Sequence, residues 1–593
     1  MKKMLLGNAA IAHGAIDAGV GLVCGYPGTP STEILQTVAQ NNRDKKIYIE
    51  WSVNEKAALE VAAGAAFCGT RTLVTMKQVG LNVAADPIMS LAYLGIKGGT
   101  VIAVADDPGP ISSQTEQDTR LFAKFANLPV LDPSSPAEAY EMTKYAFELS
   151  ERFGLPVILR PTTKVCHASG AVDITNAPPM PNTPSGFVKD PKWVIFPPLS
   201  YRRHGELRRQ AIDISAEFDV NTFNRVEGSG RCGIVASGVT YAIVRDLIKA
   251  KNLSVTLLKS GAPYPSPTGL YHKFLSKVDR VLVLEELSPF LEEELLLVAA
   301  RSGLKVDIRG KKDGTVPYAG ELRYDLILSI IRDYLSIPDK RIDLPPTNLP
   351  ARQPVLCAGC PHRASFFAVK SAMKGKKFVS CGDIGCYTLG NAKPLEMTDT
   401  CLCMGAGITI AQGIKRAEPD TEVFAFIGDG TFFASGITGI ANAVYNTANI
   451  NIVVLDNATT AMTGNQPHPG TGITMMDTRS PKIDILSVVK SLNVEFAVRL
   501  DPFDLDSAKE AVKAAVAHNG VSVIVFESPC AARIKPKPAP VIEDCTGCMV
   551  CIRKIGCPPL ELSGKKAVIN SSLCSGCGLC VDLCPTKRII PTE

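Results

Sequence analysis

Eight of the chain's 19 cysteines fall between Cys545 and Cys584. Cys574, Cys577, Cys580 and Cys584, followed by Pro585, are spaced C-x₂-C-x₂-C-x₃-C-P. Cys545, Cys548, Cys551 and Cys557, followed by Pro558, repeat the pattern with five residues before the last cysteine. Gaps this short let three thiolates curl around one corner of an iron–sulfur cube, and the proline stiffens the departure of the fourth. No secretory signal accompanies them, so metal binding outranks disulfides, and structural zinc is the other rival. A segment of roughly 50 residues scarcely folds without such a metal.

A second chemistry is written between Val423 and Thr460. An apolar run ends at Gly428-Asp429-Gly430, a stretch rich in small residues follows, and a second apolar run, Ile450 to Leu455, ends at Asp456-Asn457. Two such runs joined by a helix make a parallel βαβ unit, which delivers polar residues to the C-terminal ends of its strands, where open α/β sheets bind ligands. Asp429 and Asn457 are therefore expected to be neighbours. A carboxylate and an amide oxygen suit Mg²⁺, with diphosphate oxygens completing an octahedron. A lone Gly-Asp-Gly is more often an ordinary turn; the paired strand ends make this one specific.

Other candidates are less marked. Glu55 opens a helix rich in alanine, where a glutamate is favoured for electrostatic reasons alone. Cys357 and Cys360 form a C-x₂-C followed by Pro361-His362-Arg363, and Cys381, Cys386, Cys401 and Cys403 lie further along. They can be read as one more cluster or as buried thiols around a pocket; no C-x₂-C-x₂-C triplet accompanies them, which favours the second reading.

At 593 residues the chain has room for about four domains of ~150 residues. Its hydrophobic content of 46% and charged content of 20% are those of an ordinary globular protein, and a net charge of +5 gives no argument for nucleic acid or membrane binding. The N-terminal stretch faintly imitates a signal peptide, but His13 and Asp17 interrupt it, so an amphipathic first helix is expected. Acidic residues break the Leu282–Leu297 region, so no membrane span is expected. Strands are expected at Val20–Cys24, Thr72–Met76 and Val101–Ala105, with Ser31 or Thr32 capping a helix from Glu33. Strands are also expected at Val255–Leu258 and Val281–Leu284, and Cys232–Tyr241 reads as a strand entering a turn. Ser237-Gly238 in that turn can cradle an anion or simply serve packing. The division is 1–170, a proline-rich linker 171–199, 200–340, a linker 341–356, 357–534 and the cysteine-rich 541–593.

The Val423–Thr460 stretch resembles the diphosphate-binding module of thiamine-diphosphate enzymes, and the tail resembles a bacterial-type two-cluster ferredoxin domain. Tyr26–Ile34 (YPGTPSTEI), Asn54–Glu60 (NEKAALE), Met76–Pro87 (MKQVGLNVAADP), Cys357–Arg363 (CAGCPHR), Gly382–Gly390 (GDIGCYTLG) and Leu455–Pro469 (LDNATTAMTGNQPHP) extend the likeness. Over essentially its whole length the chain resembles the large subunits of the 2-oxoacid:ferredoxin oxidoreductases. Two positions depart from the pattern, Gln78 where His is frequent and Ala358 where Pro is common.

The resemblance implies a multidomain α/β thiamine-diphosphate-binding fold. In it, 1–170 is the pyrimidine-binding domain, 200–340 a transketolase-C-terminal-like domain, 357–534 the diphosphate and Mg²⁺ domain and 541–593 the ferredoxin domain. It makes Asp429, Asn457 and the carbonyl of Thr459 the Mg²⁺ ligands, with Gly428 and Gly430 at the diphosphate, and sets Cys360, Gly385 and Cys386 beside the cofactor. Glu55 would hydrogen-bond the aminopyrimidine and promote deprotonation of thiazolium C2. One [4Fe-4S] cluster takes Cys545, Cys548, Cys551 and Cys584, the other Cys574, Cys577, Cys580 and Cys557. His362, Arg363, Thr29 and Ser31 are candidates for meeting the substrate, though turn formation and capping are equally plain jobs for Thr29 and Ser31. The implied reaction is oxidative decarboxylation of an arylpyruvate such as indolepyruvate, with coenzyme A as cosubstrate and ferredoxin as acceptor. A smaller β subunit in an α₂β₂ assembly and a cytoplasmic location are also implied. Pyruvate or a branched 2-oxoacid as substrate, non-oxidative decarboxylation and a non-catalytic electron-transfer scaffold are the alternatives.

Overall fold

The computed structural model describes residues 1–175, 180, 184–337, 349 and 354–592. The chain divides into two compact units, residues 1–345 and 346–593.

Among the described residues the first unit carries two large sheets and one two-stranded ladder. One has six strands in the order Tyr48–Trp51, Leu22–Gly25, Thr72–Lys77, Thr100–Ala105, Val157–Leu159 and Val130–Leu131, all parallel. Parallel strands are covered on both faces, which is why TVIAVA at Thr100–Ala105 is buried along its whole length. Strand order reverses between Leu22–Gly25 and Thr72–Lys77, so the loops that follow these two strands flank the crevice where such sheets bind ligands. The second sheet runs Asp307–Arg309, Arg280–Leu284, Cys232–Ala236, Thr256–Ser260 and Asn224–Gly228, with only the last strand antiparallel.

Several expectations need correcting. The N-terminus does not begin as a helix: Lys2–Leu6 is a strand paired antiparallel with Ser169–Asp173, and the helix starts at Gly7. A partner more than 160 positions away leaves no trace in local periodicity. The same pairing carries the first domain past residue 170. Residues 176–179 and 181–183 of the expected proline-rich linker lie outside the described residues. The following stretch lies along the unit, with the Trp193 ring 4.4 Å from that of Phe67, until the helix Pro197–Phe218 begins, before position 200. The linker at 341–356 lies outside the described residues except for Leu349 and 354–356. Gly238 packs against the Asp132 carboxylate, where a Cβ would lie 2.9 Å from Oδ1. An acidic neighbour makes packing, rather than anion binding, the role of this turn. The Leu282–Leu297 region is split between a strand and the helix Phe290–Ser302, and among the described residues no helix is long and apolar enough to cross a membrane.

The second unit is built on a five-stranded parallel sheet in the order Phe378–Cys381, Glu422–Gly428, Ile450–Asp456, Val521–Glu527 and Phe496–Leu500. Successive side chains point to opposite faces. Phe424, Phe426, Val453, Leu455, Ile524 and Phe526 line one core, and Val423, Ala425, Ile427, Ile452, Val454 and Val525 the other. Helix Pro361–Ala372 packs on the first face, where Phe366 meets Phe426 at 4.9 Å. The cysteine-rich tail is two short antiparallel ladders, Val541–Ile542 with Ile589–Ile590 and Leu560–Ser563 with Lys566–Ile569, and two helical turns. It does not hang free: Cys551, Ile555, Leu560, Leu579 and Ile589 belong to the same apolar cluster as Phe366 and Phe426.

Candidate active site and cluster cavities

In the second unit the strand Glu422–Gly428 ends at Asp429 and its neighbour Ile450–Asp456 ends one residue before Asn457. Gly428 is paired with Leu455, so the two polar residues emerge side by side. Asp429, Asn457 and Thr459 are nearly inaccessible. The amides of Asn457 and Thr459 donate to Asp429 Oδ2 at 3.2 and 3.1 Å. Ala458 between them has φ +59°, an uncommon conformation for a residue with a side chain, and it turns the loop so that both amides face the carboxylate. Gly428 is required by space, since a Cβ there would lie 2.5 Å from the Tyr387 ring. The helix that starts at Asp429 passes through a π turn at Phe432–Gly436, a feature common at functional sites.

Around this pair stands a polar shell that sequence reasoning missed. His468 Nε2 lies 3.0 Å from Asp429 Oδ2, with its ring 5.6 Å from that of Phe433. Asp383 accepts from the Tyr387 hydroxyl (2.7 Å) and the Gly405 amide (2.8 Å), and burial pushes its carboxyl up to about 6. Tyr387 also reaches Thr431 Oγ1 at 3.1 Å. Asp383 and Tyr387 belong to the GDIGCYTLG motif and His468 to LDNATTAMTGNQPHP, but spacing alone gave them no role. Burial, aided by the Asp429 charge, raises Asp456 to about 6.

His362 and Arg363 part company. The His362 ring faces Asn457, with Nε2 3.3 Å from Nδ2, and burial lowers its pKa to about 4, so it is neutral. A neutral ring nitrogen accepts from the amide NH₂, which leaves Asn457 Oδ1 on the side of the Thr459 amide, from which it accepts at 3.3 Å. Arg363 is not directed at a substrate carboxylate. Its guanidinium donates to the carbonyls of Leu356 (2.6 Å), Cys357 (3.4 Å), Gly556 (3.0 Å) and Ile555.

In the first unit Glu55 opens helix Glu55–Phe67, which Asn54 caps by accepting from the Ala57 amide at 2.9 Å. The carboxyl is buried against Gly80, where a Cβ would lie 2.4 Å from Oε1. Burial raises its pKa to about 7, against the pull of Lys77. The alkyl stem of Lys77 runs along Gly28, bringing the Tyr26–Ser31 loop to the same crevice. The Ser31 hydroxyl is used locally, donating to the Gly28 carbonyl (2.9 Å), and Thr32 rather than Ser31 accepts from the Gly28 amide (3.0 Å). Thr29 is half-buried, and its carbonyl accepts from Ser112 Oγ at 3.2 Å. Gln78 is buried and donates to the Thr115 carbonyl at 3.1 Å.

The tail cysteines ring two cavities. One is lined by Cys557, Cys574, Cys577 and Cys580; the other by Cys545, Cys548, Cys551 and Cys584. Each joins three cysteines of one motif to the last of the other, and the longer gap before Cys557 is taken up by the turn Val550–Ile555. Burial pushes the Cys580 thiol up to about 12, so it needs a bound metal to become a thiolate. A third group comprises Cys357, Cys360, Cys386 and Cys530. Cys360 is raised to about 12 and Cys386 to about 11, chiefly by burial and in part by each other's company. Cys530, which sequence reasoning missed, follows the strand Val521–Glu527, and its amide donates to the Asn457 carbonyl at 3.1 Å. Gly385 turns the chain into the Cys386 segment, its amide donating to Thr388 Oγ1 at 3.0 Å. Among the described residues no three His, Cys, Asp or Glu side chains close on a single metal ion; the tail cysteines surround cavities instead.

The fold and these sites define a thiamine-diphosphate-binding oxidoreductase with an iron–sulfur domain. Family models match as follows: "Pyruvate flavodoxin/ferredoxin oxidoreductase, thiamine diP-bdg" over residues 13–187, "Thiamine pyrophosphate enzyme, C-terminal TPP binding domain" over 383–526 and "4Fe-4S binding domain" over 567–587. The indolepyruvate oxidoreductase subunit IorA of Methanothermobacter thermautotrophicus is 41% identical, the match covering 100% of this chain and 97% of that one. The corresponding subunit of Thermococcus kodakarensis is 42% identical over the same shares. A solved 2-oxoglutarate:ferredoxin oxidoreductase from Magnetococcus marinus shares 17% identity over 56% of this chain and 65% of its own, with a TM-score of 0.45. The chain belongs to the IorA family of indolepyruvate oxidoreductases, within the 2-oxoacid:ferredoxin oxidoreductases.

Proposed function

We propose that the chain is the large subunit of an enzyme that decarboxylates arylpyruvates, indolepyruvate among them, to aryl-acetyl-CoA and CO₂ while reducing ferredoxin. The emergence of Asp429 and Asn457 from adjacent strands, on the same unit as two cysteine-ringed cavities, carries this reading. The names of the full-length relatives supply the substrate. A smaller β subunit, an α₂β₂ assembly and coenzyme A as cosubstrate belong to the same proposal.

The residues fit Mg²⁺ and a diphosphate. Asp429 is a buried carboxylate, Asn457 Oδ1 and the Thr459 carbonyl are hard oxygens, and the loop that offers them is held in an uncommon conformation. Thiamine diphosphate, when bound, supplies a thiazolium carbon that adds to a 2-keto carbonyl and accepts the electron pair released with CO₂. Asp429 would hold the metal, and His362 would position Asn457 through its amide. Glu55 would hold a proton at its carboxyl and exchange it with the aminopyrimidine. Thr29 remains a candidate substrate contact, whereas the Ser31 hydroxyl serves its own turn.

The eight tail cysteines would hold two [4Fe-4S] clusters in the crossed pairing. Cys357, Cys360, Cys386 and Cys530, between the Asp429 loop and the cavity of Cys557, would be the set for one more, against the buried-thiol reading that their spacing favours. That cavity is lined by Gly359 and Cys360 as well, so its cluster would be the inner of the tail pair and the one at Cys545 the outer.

Two measurements bear on these assignments. Rates with indolepyruvate, phenylpyruvate, pyruvate and 2-oxoisovalerate should favour the aromatic acids by more than about tenfold in kcat/KM, a difference of ~1.4 kcal/mol; preference for pyruvate would overturn the substrate. Cys557→Ala should remove one cubane signal at low temperature and leave that of the Cys545 set; two unchanged tail signals would refute the crossed pairing.

A further inference from the structure

Arg363 breaks a local rule. It sits in the first turn of helix Pro361–Ala372, where a cation opposes the helix dipole, and it is almost wholly buried. Nothing neutralises it: both terminal nitrogens donate to backbone carbonyls, and among the described residues no carboxylate pairs with it. Its Nε is buried without a partner. Among the described residues Arg363 is also the one cationic side chain lining the cavity of Cys557, Cys574, Cys577 and Cys580. The outer cavity differs. Its Arg588 is half exposed and stands 3.9 Å from Asp544, so that charge is both screened and paired.

A buried, unneutralised cation beside four thiols has a physical account if the cavity's occupant is an anion. A [4Fe-4S] cube with four thiolates is negatively charged and gains one more negative charge on reduction, so nearby charge and hydrogen bonds to sulfur set its potential. We propose that Arg363 is the positioning residue of the inner tail cluster. By this account its four carbonyl bonds fasten the Cys557 loop to the Cys357–Cys360 loop, its Nε–H is the donor left for a sulfur, and its charge stabilises the reduced cube. The inference rests on the cluster reading given above. The redox step is a single electron passed to the cube, one Fe(III) becoming Fe(II), with no bond made or broken. The 2-oxoacid is the donor and ferredoxin the final acceptor.

The test is a spectroscopically monitored redox titration of the anaerobically purified complex carrying Arg363→Gln or Arg363→Lys. The Gln variant should shift the oxidised-to-reduced ratio of one cluster at least tenfold toward oxidised at a given potential, which is 59 mV for a one-electron couple. The Lys variant, which keeps the charge but loses the fork, should shift it less and in the same direction. Unchanged midpoints in the Gln variant with full iron content would overturn the proposal. A second measurement holds even where the variants lose the cluster. In wild-type complex labelled with guanidino-¹⁵N arginine, pulsed spin resonance should show a nitrogen coupling to a reduced tail cluster. No arginine nitrogen coupling to any cluster would overturn the proposal. Wild-type protein whose tail binds no iron would instead tell against the cluster reading itself.

Discussion

Glu55→Gln should lower turnover by about 10²–10⁴-fold, the usual scale for a group that moves a proton, while thiamine diphosphate binds within a few-fold of wild type. The substitution keeps the size of the side chain and its place against Gly80 but removes the proton exchange. Calorimetric titration with the cofactor separates the two effects, and unchanged turnover would remove the assigned role. Stability should move the opposite way. Burial raises the folded-state pKa to about 7 from an ordinary 4.5, so between those values the folded chain binds more protons than the unfolded one. Stability contributed by the protonated carboxyl is therefore present below pH 4.5 and lost as pH rises through 7. The loss is about 3 kcal/mol at ~1.4 kcal/mol per pH unit. Glu55→Gln does not ionise and escapes it, so the cofactor-free variant should melt higher than wild type at pH 8 and show no such gap at pH 4. A melting temperature equally pH-dependent in both would contradict the buried-carboxyl account.

Asp429→Ala should reduce Mg²⁺-dependent cofactor affinity by more than about 100-fold, since even residues behind a metal's ligands are worth 10–100-fold. Asp429→Asn is the control for shape. It can still accept from the Asn457 and Thr459 amides but lacks the charge, and it should lose most of the same affinity. Chelation of wild-type protein should mimic both variants. Cofactor binding that survives in the Asn variant and in chelator would take Asp429 out of the metal's coordination.

The strand ends were legible because two buried parallel strands must be written as apolar runs, and a run that stops at a polar residue marks the ligand edge. The tail cysteines were legible because cluster ligation demands short, fixed spacings. The unseen parts are those that depend on contacts between distant segments. His468 reaches Asp429 through a loop with no periodicity, and Cys530 arrives beside Asn457 only because Val521–Glu527 pairs with Ile450–Asp456. Arg363 read as a substrate contact because an arginine beside a histidine suggests anion binding. Two of its actual partners, Ile555 and Gly556, lie nearly two hundred positions away. The strand at Lys2–Leu6 was hidden for the same reason.

Because Ile555, Leu560 and Leu579 interlock with Phe366 and Phe426, the tail is not a detachable wire plugged into a finished enzyme. Loss of a bound cluster would therefore withdraw support from one face of the sheet that carries Asp429 and Asn457.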